Sequence, residues 1–201
     1  MKAKIKKKFP LELPEKTWKL CDSIAKDLSI KRTKANAENG SYAEGTDKWR
    51  GDKEQQVSYQ GIMGELLHRA YWIEQDVDPN DVVWFPLVDD KPVVGPDAII
   101  KDQSYDAKMS NKYYKDKYTG EEKQSFKLQV SADAHNNVSK SVDQYFFVQA
   151  DVSKMEADIY VVDHENVDDW DEMQYASATL EADIPRHILM EDYWDDEDDN
   201  S

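Results

Sequence analysis

The chain has 201 residues, a formal net charge of −16, 39% hydrophobic residues and 34% charged ones. That length suits one well-filled domain, and no apolar run approaches the ~20 residues needed to span a bilayer, so no membrane partner is expected. A single cysteine, Cys21, rules out an internal disulfide and fits a reducing, cytoplasmic compartment, and the basic start MKAKIKKKFP lacks the apolar core of a secretion signal.

The charge is unevenly placed. Residues 151–201 hold two basic residues against 18 acidic ones and so carry the whole net charge, while residues 1–150 hold 24 of each sign. The first 56 residues are basic, with 14 Lys or Arg against 9 Asp or Glu. Repulsion toward a polyanion therefore belongs to the C-terminal quarter, and the body of the chain remains open to a nucleic-acid partner.

In chain order, Pro14 opens a helix to about Ser29, with Trp18, Cys21, Ile24, Ala25 and Leu28 on one stripe. Cys21 reads there as a small core residue. Residues 30–56 are polar and show no periodicity, which predicts a long loop. Its Lys31, Arg32, Lys34, Lys48 and Arg50 suit phosphate contacts, with Tyr42 and Trp49 nearby for stacking; a solvated loop explains them equally well. Helical spacing returns from about Gln56 to Gln75, with Ile62, Leu66 and Ala70 in one row and Met63, Leu67 and Tyr71 in the next. Glu65 stands among these apolar positions. Gly61 and Gly64 each cost roughly 1 kcal/mol in a helix and point to a close approach of backbone.

A strand is expected over 81–88, followed by a hairpin over 93–110, VVGPDAIIKDQSYDAKMS. A turn with an even number of unpaired residues aligns Ile100 with Tyr105, Ile99 with Asp106 and Asp97 with Lys108. Asp106 and Lys108, two apart, then share a strand face with Asp97. Two carboxylates and an ammonium on half-buried strands are costly unless compensated, and a divalent cation is the simplest compensation. Beyond the hairpin, Lys112 and Lys115 lie in a Lys- and Tyr-rich segment suited to a backbone-binding rim. A helix is expected over 125–138, strands over 144–151 and 157–163, an acidic helix over 165–180 and a disordered acidic end.

Pro96-Asp97, eight residues, then Asp106-Ala107-Lys108 resembles the signature of the PD-(D/E)XK nuclease superfamily. The order helix, three strands, helix, two strands resembles its α-β-β-β-α-β core with one strand added, over roughly residues 57–163. The resemblance implies an α/β, restriction-endonuclease-like core: a central mixed β-sheet flanked by helices, here with an N-terminal helix and an acidic C-terminal extension. It divides the chain into an N-terminal helix and basic loop (1–56), the core (57–163), and an acidic helix and tail (164–201). It also implies a Mg²⁺- or Mn²⁺-dependent deoxyribonuclease. Asp97, Asp106 and the Ala107 carbonyl would ligate the metal, Glu65 would ligate directly or through water, and Lys108 would orient the attacking water. Gln129 matches a Gln of several exonuclease-like branches, although Asp133 stands where those branches have an aromatic.

Other chemistries find little support. His68, His135, His164 and His187 lack metal-ligand spacing, and neither a nucleophile elbow nor a phosphate-binding Gly-rich loop is present. The alternative function is a non-enzymatic acidic interaction protein, either a nucleic-acid mimic or an adaptor whose tail recruits a basic protein. A second copy of the chain remains a further candidate partner.

Overall fold

The computed structural model describes residues 7–38, 47–88, 95–125, 128–131, 135, 141–167, 171–173 and 187–190. Strand β1 (Lys7–Pro10) precedes two long helices, α1 (Glu15–Glu38) and α2 (Asp47–Glu74). A 3-10 turn at Pro79–Asp81 leads into β2 (Val82–Trp84), followed by β3 (Ala98–Ile100) and β4 (Gln103–Asn111). Next come a small hairpin of β5 (Tyr113–Lys115) and β6 (Glu122–Gln124), then β7 (Leu128–Ser131), β8 (Gln144–Asp151) and β9 (Glu156–Asp163). A single helical turn α3 (His164–Val167), β10 (Asp171–Met173) and β11 (His187–Met190) follow.

The architecture is α/β: a mixed six-stranded sheet, ordered β1-β9-β8-β4-β3-β2, flanked by helices. β4 and β8 run parallel and the other neighbours are antiparallel. A parallel pair needs a long crossover, and the chain between Asn111 and Gln144 supplies it. β8 is central, with Gln144 through Ala150 all buried, which explains the continuous apolar run Tyr145 to Val148. Phe146 and Val148 pack with Ile159 and Val161 against Trp18, Cys21, Ile62 and Met63 of α1 and α2. Tyr145 and Phe147 point the other way, with Tyr160 and Val162, onto Leu128, Val130 and Val167.

Several expected elements are placed differently. The loop over residues 30–56 is largely helical, since α1 runs to Glu38 and α2 begins at Asp47; Lys, Ala, Glu and Gln favour helix without an apolar stripe. The boundary at residue 56 therefore falls inside α2. Within 125–138, residues 128–131 form strand β7, whose Leu128 and Val130 alternate inward, while His135 is helical as expected and most of the other residues lie outside those described. A short apolar run fits either period, and the second sheet decides it, because β7 pairs with β11. Residues 164–167 form only one helical turn, and Asp171–Met173 is a strand paired to β11. β1, which extends the main sheet along β9, was not expected at all. Val93 and Val94 of the hairpin, Tyr42, and the end beyond Met190 lie outside the described residues.

Candidate active site

β3 and β4 join through a two-residue turn, Lys101-Asp102, so Ala98, Ile99 and Ile100 face Tyr105, Ser104 and Gln103. The expected ladder is thus shifted by two residues, because Gln103 and Ser104 belong to the strand and not to the turn. A shift of two preserves which side chains share a face. Lys101 and Asp102 have φ of 49° and 64°, the left-handed pair that a two-residue turn requires.

The backbone ladder between β3 and β4 ends at Ala98, and Asp97 takes over from it. Its N–H donates to the Tyr105 carbonyl (2.8 Å), and its Oδ2 accepts from the Ala107 N–H (2.8 Å). On β4, Tyr105 and Ala107 are buried, and Met109 abuts Gly64 of α2. Asp106 and Lys108 alternate with them, level with Tyr145 and Phe147 of β8, and pair with each other at 2.5 Å. Glu65 comes from α2, 6% exposed, with Arg32 of α1 at 2.8 Å. The Arg32 guanidinium also donates to the Leu87 carbonyl, so one side chain ties α1, Glu65 and the segment leading toward Asp97.

The charges of this group act on one another. Burial pushes the Asp97 carboxyl well above its usual range, and Glu65 and Asp106 push it further, against Lys108 and the Ala107 N–H. Burial also raises Glu65, against the pull of Arg32 and Arg69. Burial lowers Lys108, but Asp106 and Asp97 outweigh it and the ammonium is held above its ordinary value. A third of the Lys108 side chain is exposed, so solvent screens part of that effect.

Among the candidates, Glu65, Asp97, Asp106, Ala107 and Lys108 come together. Gln129 lies on β7, opposite Leu189, and not on a helix. Arg32 is not a free phosphate ligand, since Glu65 and Leu87 occupy it. Lys112 is likewise engaged, 3.2 Å from Asp158. Lys31, Lys34 and Lys115 are exposed, and the side chains of Lys48 and Arg50 lie outside the described set. His68 is a core residue: 1% exposed, it accepts from Trp72 Nε1 (2.9 Å) among Trp84, Tyr105 and Phe146.

Arg69 is a member of the site that the sequence reading passed over. It donates to the Phe85 carbonyl and lies over the Trp84 ring at 5.3 Å. Burial lowers its pKa, while Glu65 and Asp97 hold it up. Its signal was the four-residue spacing from Glu65, one helical turn. Compensation for the buried carboxylates therefore comes in part from Arg32, Arg69 and Lys108 of the chain itself. Asp97 alone of the three has no ion pair of its own among the described residues.

Among the described residues, no three His, Cys, Asp or Glu side chains stand close enough together to hold a metal as they are. The donor chemistry nonetheless fits a hard divalent cation: Asp97 and Asp106 offer carboxylate oxygens on adjoining segments, and buried Asp97 is short of positive charge. Among the described residues, no helix is long and apolar enough to cross a membrane. Comparison with protein-family models, curated proteins and solved structures finds no match.

Proposed function

We propose that the chain is a divalent-metal-dependent nuclease acting on DNA phosphodiester bonds, with a restriction-endonuclease-like core. The observation that carries this reading is Asp97: a buried carboxylate beside Asp106 and Glu65, with no ion pair of its own among the described residues, close to Lys108, a third of whose side chain is exposed. The order α2, β2, β3, β4 and the parallel partner β8 is compatible with the α-β-β-β-α-β core, and supports the reading without deciding it.

Asp97 and Asp106 would hold Mg²⁺ or Mn²⁺, and Glu65 would join them by exchanging Arg32. When bound, the cation would supply charge neutralisation at the phosphate and a lowered pKa for the attacking water. Lys108, released from Asp106, would donate to a phosphoryl oxygen or hold the water in line. The Ala107 N–H donates to Asp97 Oδ2 and so would help position the carboxylate before substrate arrives. Arg69 favours the charged forms of Glu65 and Asp97.

The test is incubation with linear, circular and branched DNA in Mg²⁺, Mn²⁺ or chelator, alongside Asp106→Asn and Lys108→Met. The expected result is metal-dependent cleavage, with at least a hundredfold loss in each variant while circular dichroism is unchanged. Cleavage that persists in chelator, or at full rate in both variants, overturns the reading.

A further inference from the structure

The candidate active site is balanced in charge by its own residues. Glu65, Asp97 and Asp106 act on one another, and Arg32, Arg69 and Lys108 act on them with the opposite sign. Three carboxylates thus meet three cations. A divalent ion added to them leaves an excess of positive charge unless a resident cation withdraws. Taking up a metal is therefore an exchange, and its cost depends on which cation is released.

Arg32 is the one placed to withdraw. Lys108 pairs with Asp106 at 2.5 Å and acts on all three carboxylates. Arg69 acts on both Glu65 and Asp97, donates to the Phe85 carbonyl and lies over the Trp84 ring. Arg32 instead comes from a different helix, α1, and pairs with Glu65 through Nη2. Its Nε donates to the Leu87 carbonyl at 3.1 Å, a bond that does not depend on Glu65. Gly61 stands one helical turn before Glu65, and a Cβ there would lie 3.0 Å from Arg32 Nη1, so the bare backbone gives the guanidinium room. The Arg32 side chain is 24% exposed and can move outward without opening the core. Glu65, at 8%, is too deeply placed to stay charged without a partner, and either a guanidinium or a metal can be that partner.

We infer that Arg32 is an exchangeable cation that competes with the metal for Glu65 and so sets the metal affinity of the site. Arg32 holds Glu65 when no metal is bound, and withdraws toward the Leu87 carbonyl and solvent when Glu65 turns to the metal. Glu65 is then available only in the fraction of molecules in which Arg32 has let go, and the apparent metal affinity is reduced by that fraction. The inference rests on the nuclease reading and adds to it a control of metal uptake that acts through one ion pair.

The test is a Mn²⁺ titration of the full chain without DNA, with free Mn²⁺ followed by electron paramagnetic resonance and the fold checked by circular dichroism. In Arg32→Gln we expect Mn²⁺ to bind at least about fivefold more tightly, the low end of coupling between linked sites. Glu65→Gln should weaken binding, and Arg32→Gln added to it should change the affinity no further. That last comparison separates competition for Glu65 from the mere loss of a nearby positive charge, which would tighten binding in either background. Should Arg32→Gln not fold, Arg32→Lys carries the test: it keeps a cation beside Glu65 but loses the planar fork, and should tighten binding by a smaller factor. Unchanged or weaker affinity in the folded Arg32 variants, or equal tightening with and without Glu65, overturns the competition and leaves the nuclease reading standing. No Mn²⁺ binding by the parent chain or any variant overturns both.

Discussion

Arg32 Nη2 lies 2.8 Å from Glu65 Oε1, joining the C-terminal third of α1 to the candidate catalytic face of α2. The Glu65 side chain is 8% exposed and that of Arg32 24%, so removing the arginine strands a nearly buried charge. Arg32→Ala should cost roughly 2–4 kcal/mol, the lower end reflecting the partial exposure. Adding Glu65→Gln should recover part of this loss. Urea unfolding of the two single variants and the double variant measures the coupling, and strictly additive effects would show that the pair contributes nothing.

Gly64 and Gly61 should respond differently to alanine. A Cβ at Gly64 would stand 2.9 Å from Met109 Cβ and 3.3 Å from Met109 N, whereas one at Gly61 would meet only the Arg32 guanidinium, at 3.0 Å. Backbone at the end of a packed strand cannot give way as a side-chain terminus can. Gly64→Ala should therefore destabilise by about 1–2 kcal/mol, overpacking exceeding the gain in helix propensity. Gly61→Ala should be neutral or slightly stabilising. Thermal melts of both variants decide the order, and equal effects would contradict the close approach of α2 to β4.

His68 makes stability depend on pH. Burial lowers its pKa to about 3, so between that value and the unfolded value near 6.5 the unfolded chain binds a proton that the folded chain does not. Its contribution is complete above pH 6.5 and is lost as pH falls, by about 1 kcal/mol per pH unit. Asp97 and Glu65, raised in the fold, act in the opposite direction, since the folded state takes up their protons first. The measurement is therefore a difference: unfolding free energy from pH 7 to 5 for the parent chain minus that for His68→Phe. A flat difference would mean that His68 is protonated inside the core.

The Lys101-Asp102 turn holds two non-glycine residues at positive φ. Each left-handed residue costs roughly 1 kcal/mol, which glycine avoids. Asp102→Gly should therefore raise the urea midpoint by an amount equivalent to about 0.5–1 kcal/mol, leaving the site groups in place. Destabilisation would show that the Asp102 side chain contributes more than its backbone strain costs.

Much of the core was legible because burial and period coincide. The stripe of Trp18, Cys21 and Ala25, the rows through Ile62 and Met63, and the β-rich runs of β8 and β9 each carry their own signal. The two-residue spacing of Asp106 and Lys108 also determined that they share a face, whatever register the hairpin adopted. What sequence could not determine depends on partners distant along the chain. β7 and β10 are strands because β11 pairs with them, and β1 is a strand because β9 offers an open edge. Arg32 looked like a free cation in a loop, and only the packing of α1 on α2 brings it to Glu65, 33 residues away. Local pattern reports which face a residue prefers. Which charge it meets there is set by tertiary packing, where burial makes an unpaired charge costly and a partner from another element removes the cost.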